Sequence, residues 1–127
     1  MQAIVATGYG SPDVLQLKEV EKLRLKANEI LVRVLASTVN AGDTRMRSFI
    51  DPPLFWLPAC PTLGFNKLRQ PICGMELTSD VEAVGKAGQH FKVGDQVFAS
   101  NLEAHFGAYA EYKCLPKTEP WSQYRAR

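Results

Sequence analysis

An all-β domain of many short strands, barrel-like in its closure, is the fold class the sequence predicts. Three observations predict it. Apolar and polar residues alternate in short runs such as Gln2–Thr7, Val14–Val20 and Leu77–Ala83, the period-two signature of half-buried strands. Turn-forming residues punctuate those runs at short intervals, among them Ser11-Pro12-Asp13, Gly85-Lys86-Ala87-Gly88 and Gly94-Asp95, as in sandwiches and barrels. Only one segment, Asn40–Ser48, reads as a helical turn, with Asn40 or Asp43 as its cap.

The elements follow in order. Gln2–Thr7 and Val14–Val20 make the first two strands, joined by the Ser11-Pro12-Asp13 turn. Leu23 and Leu25, set among Lys22, Arg24 and Lys26, predict a short half-buried strand. Ile30–Val39, rich in Val and Leu, reads as a central strand. After the helical turn, Phe49 to Pro71 holds five prolines among Phe49, Phe55, Trp56, Leu57 and Phe65. Proline removes ladder donors, so this is a long, apolar, Pro-rich loop that packs on the core or lines a binding surface. Further on, Leu77, Ser79, Val81 and Ala83 share one strand face and Thr78, Asp80 and Glu82 the other. The Gly85–Gly88 turn invites a positive φ at glycine. Gly94-Asp95 separates Phe91–Val93 from Gln96–Ser100, and Gly107–Leu115 is the last strand.

Composition bounds the function. The 127 residues are 46% hydrophobic and 22% charged, in the range of one soluble globular domain. Fifteen Lys and Arg against thirteen Asp and Glu leave a net charge of +2 with no basic block, so there is no electrostatic footprint for nucleic acid. No apolar run reaches the roughly 18 residues of a membrane span, and Met1-Gln2-Ala3-Ile4 does not open a signal peptide. Three scattered cysteines, Cys60, Cys73 and Cys114, form no paired framework. They fit a soluble protein of the reducing cytoplasm.

Residue chemistry alone yields no catalytic constellation. His90 and His105 lack partners at metal-ligand spacing, there is no Cys-x-x-Cys, and no Gly-x-Ser-x-Gly elbow occurs. Cys60 has no flanking cation to lower its pKa. Gly8-Tyr9-Gly10 begins like a dinucleotide fingerprint, but Asp13 stands where the third glycine belongs and a strand pattern follows in place of a helix. That arrangement cannot cradle a pyrophosphate.

One ordered set of motifs does carry a resemblance. Asn40-Ala41-Gly42-Asp43-Thr44-Arg45-Met46-Arg47, Gly74-Met75-Glu76, Val81-Glu82-Ala83-Val84-Gly85, Phe91-Lys92-Val93-Gly94-Asp95-Gln96-Val97 and Gly107-Ala108-Tyr109-Ala110-Glu111-Tyr112 occur in that sequence. Together they resemble the N-terminal, GroES-like catalytic domain of the medium-chain dehydrogenase/reductase superfamily, in its zinc-independent, quinone-oxidoreductase-like branch. The resemblance covers residues 1 to about 117 and leaves 118–127 as a divergent tail. It implies a GroES-like, partly open β-barrel with one or two short helices. Zinc-dependent members of that superfamily carry a ligand cysteine at the Asn40 position and a ligand histidine at the Met75 position. An amide and a thioether are poor substitutes in such a site.

The resemblance also implies candidate substrate-binding residues: Asn40, Asp43, Arg45 and Arg47, with Phe55 and Trp56 on an apolar wall. Arg45 departs from the tyrosine found in several quinone-reductase relatives. Asn40 and Asp43 equally suit a plain helix cap, worth about 0.5–2 kcal/mol. Full-length relatives continue into a Rossmann domain that holds NADPH, so the expectation is a truncated reductase domain, inactive alone, that binds no cofactor itself. Two other expectations stand beside it. The chain is a protein-interaction module that self-associates as a homodimer through the exposed domain face, with Trp56, Trp121 and Tyr124 as contact material. Or a Rossmann-domain partner is supplied in trans.

Overall fold

The computed structural model describes residues 1–48, 71–87, 90–100 and 107–117. Six strands and one α-helix are present among them. The strands are β1 (Gln2–Ala6), β2 (Leu15–Glu19), β3 (Glu29–Ser37), β4 (Glu76–Val84), β5 (Gln96–Ser100) and β6 (Tyr112–Pro116), and the helix is α1 (Ala41–Ser48). A single 3-10 turn, Pro12–Val14, leads into β2, with Pro12 at the position where its missing N–H costs nothing. The fold is mainly β.

All pairing is antiparallel. β1 and β2 form a hairpin in which Ile4 faces Leu17. The other four strands lie in the order β5-β4-β3-β6. Both sheets stay open, and isolated bridges join them where Ala3 meets Ala110 and Val5 meets Ile72. β3 is central, as its Val and Leu content predicts, and it pairs with β4 and β6. Its ladder with β4 shifts register between Leu31 and Val32, which is how Ile30, Leu31 and Val32 come to be buried in succession.

The core is built by alternation. Leu77, Ser79 and Val81 of β4 and Val97 and Ala99 of β5 point inward, where they meet Ile30, Val32, Phe91, Ala108 and Leu115. Each large aliphatic chain so buried contributes about 1.5–3 kcal/mol. Thr78 and Glu82 face outward.

Three expectations are corrected. No strand forms over 22–26. That segment meets β6 through side chains, with the Lys22 ammonium 5.4 Å from the Tyr112 ring centre, and its leucines are not core residues: Leu23 is exposed and Leu25 half-buried. Phe91–Val93 is no strand either. The Asp95 carboxylate accepts the Lys92 N–H at 2.9 Å and the Asp95 N–H returns to Lys92 O, closing a turn in which Gly94 has φ +91°. The final strand begins at Tyr112 and not Gly107, because the backbone just before it bonds elsewhere: Ile4 N–H to Tyr109 O, Tyr109 N–H to Cys73 O and Glu111 N–H to Gln2 O. In the Gly85–Gly88 turn, Gly88 lies outside the described residues and Gly85 does not adopt a positive φ. It is required by space, since a Cβ there would collide with the Lys26 and Ala27 carbonyl oxygens. The Pro-rich run from Phe49 to residue 70, with Phe55 and Trp56, and the tail 118–127 lie outside the described residues.

Candidate functional site

At the N-terminus of α1, Asn40 and Asp43 bond reciprocally. The Asp43 N–H donates to Asn40 Oδ1 at 3.1 Å and the Asn40 N–H donates to Asp43 Oδ2 at 3.1 Å. This is a capping box made from an amide and a carboxylate, which satisfies two donors that a helix start leaves open. It also has a chemical consequence. With Oδ1 committed to the backbone, the end of the half-buried Asn40 amide left for a ligand is its NH2, a donor.

Asn40 and Met75 converge over Gly42. A Cβ on Gly42 would lie 2.8 Å from Met75 Cε, 2.9 Å from Met75 Sδ and 3.1 Å from Asn40 Oδ1. Any side chain at position 42 would therefore push both residues out of place. The strand that follows, β4, is tied to the same corner: Ser37 Oγ donates to Glu76 O at 2.7 Å and Thr38 Oγ1 to Glu76 Oε2 at 2.9 Å.

Asp43 is 4% exposed, and its Oδ1 receives no hydrogen bond among the described residues. Beside it lies Tyr109, whose hydroxyl donates to Thr38 O at 3.0 Å. Burial first, and then interaction with the Asp43 carboxylate, raise the Tyr109 pKa well above the ordinary phenol value, so the hydroxyl keeps its proton. Tyr109 reaches this place because Gly74, at φ +106°, leaves room for it. A Cβ on Gly74 would sit 2.7 Å from Ala108 Cβ and 2.9 Å from Tyr109 Cδ1. Cys73 completes the group. Burial and then Asp43 push its thiol up, partly offset by Arg47. It is a buried thiol packed with Ala6 and Met46, not an activated nucleophile.

The predicted site residues divide. Asn40 and Asp43 are brought together. Arg47 is committed to the β1–β2 connection, where its Nη1 donates to Gly10 O at 3.0 Å and its own carbonyl accepts the Gly10 N–H at 3.0 Å. Arg45 is exposed. Phe55 and Trp56 lie outside the described residues. Tyr109, Thr38 and Cys73 were not predicted from sequence. For Cys73 and Tyr109 the available signal was a nearby glycine, Gly74 after Cys73 and Gly107 two residues before Tyr109, both with positive φ; Thr38 had none.

A separate hollow of about 80 Å³ lies at the β6 edge, lined in part by Met1, Leu23, Ile72 and Cys114. Burial pushes the Cys114 thiol up and the neighbouring Lys113 ammonium down.

The donor set does not suit zinc. Asn40 and Met75 offer an amide and a thioether, and the amide oxygen is already an acceptor for Asp43 N–H. Among the described residues no group of three or more His, Cys, Asp or Glu side chains could hold a metal ion. What the corner offers is neutral hydrogen-bond donation next to a buried carboxylate. Among the described residues no helix is long and apolar enough to cross a membrane.

With this geometry in place, comparison with known proteins is informative. The profile of the alcohol dehydrogenase GroES-like domain matches residues 26–122. The quinone oxidoreductase of Sus scrofa is 34% identical over 113 residues, covering 88% of this chain and 30% of that protein. A chloroplastic NADPH-dependent alkenal/one oxidoreductase of Arabidopsis thaliana is 30% identical over 126 residues, covering 91% of this chain and 29% of that protein. Among solved structures, Escherichia coli quinone oxidoreductase complexed with NADPH superposes with a TM-score of 0.69 at 28% identity, over 91% of this chain and 31% of that one. The chain spans about 30% of the length of the curated relatives it matches.

Proposed function

The chain belongs to the alcohol dehydrogenase GroES-like domain family, and from that premise we propose that it is the substrate-side domain of a zinc-independent, NADPH-linked reductase of quinones or enones, inactive by itself. NADPH, when bound by a partner domain, supplies the hydride. This chain's part is to hold the carbonyl compound. The observation that carries the reading is the Asn40–Asp43 box, which leaves the Asn40 NH2 as a donor at the position where zinc-dependent relatives would carry a metal-ligating cysteine.

The role follows from the chemistry. Hydride addition to a quinone or enone drives negative charge onto the carbonyl oxygen, and a fixed donor there stabilises the charge as it develops. Asn40 donates to that oxygen, and Met75 supplies an apolar wall beside it. In this reading Arg45, exposed on α1, meets a polar part of the substrate. The nicotinamide is held elsewhere: Gly8-Tyr9-Gly10 leads to a 3-10 turn and β2, with no α-helix start to receive a pyrophosphate. The cofactor domain is attached covalently or supplied in trans. A cytoplasmic, reducing setting belongs to the same reading, in line with the free thiols of Cys73 and Cys114.

A domain exchange tests this. The 127-residue chain alone is expected to oxidise no NADPH above a buffer blank with either quinone or enone. A chimera carrying this chain in place of the matching domain of Escherichia coli quinone oxidoreductase is expected to turn over, and Asn40→Ala in that chimera to lower kcat/KM by about 100-fold. A folded chimera that binds NADPH and reduces neither substrate overturns the reading.

A further inference from the structure

The backbone on either side of Met75 is fixed. Gly74 before it, at φ +106°, is closed in by Ala108 and Tyr109. Glu76 after it is tied to the end of β3 by Ser37 Oγ and Thr38 Oγ1. The Met75 side chain therefore starts from a set point, and only its own torsions decide where the thioether goes. In this structure it rests on Gly42. A Cβ at position 42 would lie 2.8 Å from Met75 Cε and 2.9 Å from Met75 Sδ, closer than side-chain carbons approach their neighbours. Gly42 has no positive φ to require glycine, and glycine is a poor helix residue. What its bare Cα provides is a seat for the thioether.

One flank of that seat is filled. Met75 packs with Ala6, Met46 and Cys73, all buried. On the other flank stands Asn40, whose Oδ1 is 3.1 Å from the same Cβ position and is held by the Asp43 N–H. The half-buried thioether is thus the apolar surface beside the Asn40 amide. An unbranched thioether is an adaptable side chain, so its resting place depends on the seat and not on its own stiffness.

We propose that Met75, seated on Gly42, is a specificity-determining residue: its thioether limits the bulk a substrate carries on the carbon next to its carbonyl. The selectivity half of this statement rests on the function proposed above; the Gly42–Met75 seat does not. A carbonyl oxygen that accepts from the Asn40 NH2 brings its α-carbon beside Met75, because the two side chains converge over one point. Gly42 acts through Met75 and is a positioning residue. A side chain at position 42 displaces the thioether, and with Ala6, Met46 and Cys73 behind it the way out is over the Asn40 amide. Removing the thioether opens the space that an α-substituent would fill.

The seat is tested on the whole chain without ligand. In the wild type a nuclear Overhauser contact is expected between the Met75 methyl and the Gly42 Hα protons; its absence overturns the proposal. Gly42→Ala is expected to lower the urea midpoint. In a Met75→Ala background the same substitution is expected to lower it far less or to raise it, since alanine is the better helix residue once the thioether is gone. Equal losses in both backgrounds would mean that Gly42 serves the helix alone, and would overturn the proposal. Selectivity is read from amide-shift titrations with 2-cyclohexen-1-one and 2-methyl-2-cyclohexen-1-one, which differ by a methyl group on the α-carbon. The wild type is expected to bind the methylated enone about tenfold more weakly, and Met75→Ala to bind the two within about twofold of each other. Amide signals of β3 and β4 report whether the variant is folded. A folded Met75→Ala that keeps the wild-type ratio, while both enones move the Asn40 NH2, overturns the proposal. If neither enone moves that NH2 in the wild type, the function proposed above fails and the selectivity half with it, while the ligand-free comparison still decides the seat.

Discussion

Ser79 is fully buried on the inward face of β4, and its hydroxyl has no partner among the described residues. A buried hydroxyl without a hydrogen bond costs about 1–3 kcal/mol. Ser79→Ala is therefore expected to stabilise the fold by about 1 kcal/mol, seen as a higher urea midpoint with an unchanged slope; a lower midpoint means the hydroxyl has a partner. Asp43 Oδ1 is unpartnered in the same sense, but here removal would open the capping box. Residues such as these show what a sequence reveals at its finest scale. The inward place of Ser79 and the pairing of Asn40 with Asp43 follow from local periods of two and three. That the Tyr109 hydroxyl reaches the Thr38 carbonyl does not. It arrives from the far end of the chain by packing across Gly74, and neither residue type nor spacing announces that contact.

Elements were legible where hydrophobic alternation and backbone pairing coincide, as in β1, β4 and β5, and in β3 from its run of Val and Leu. They were misread where alternation exists but the backbone bonds elsewhere. Leu23 and Leu25 alternate beside β6 without pairing to it, and Phe91–Val93 is captured by the Asp95 turn. The end of β6 shows a third case. Lys117 is 8% exposed, and its ammonium donates to the carbonyls of Ala27, at 3.3 Å, and of Gly85 and Ala87. It staples the turn before β3 and the turn after β4 to the end of β6. Nothing in the run Cys114-Leu115-Pro116-Lys117 marks a buried cation, because its acceptors are backbone oxygens from two distant loops. Lys117→Met keeps much of the aliphatic stem and removes the donor. It is expected to cost about 2–3 kcal/mol in urea unfolding; a change below about 0.5 kcal/mol would show that water serves those carbonyls equally well.

At the scale of the whole molecule, two open sheets meet through the segment from Gly107 to Glu111, and the Asn40 corner lies where α1, the Cys73-Gly74 segment and Tyr109 come together. The long apolar loop was expected to complete a pocket there, and its residues Phe55 and Trp56 lie outside the described residues. The family was legible because its motifs sit at constrained points: the helix start at Asn40, the close approach at Gly42 and Gly74, and the Gly94 turn. Substrate identity was not, since it depends on side chains gathered from separate segments. In the function proposed above, this corner takes a carbonyl compound while the nicotinamide is held elsewhere. The most direct measurement is a pair of amide-shift titrations of the isolated chain, one with 2-cyclohexen-1-one and one with NADPH. The enone is expected to move the Asn40 side-chain NH2 and the Asp43 and Tyr109 amides, and NADPH to move no signal with saturation below the millimolar range. Saturable NADPH shifts around Gly8–Gly10, or enone shifts that bypass Asn40, would contradict it.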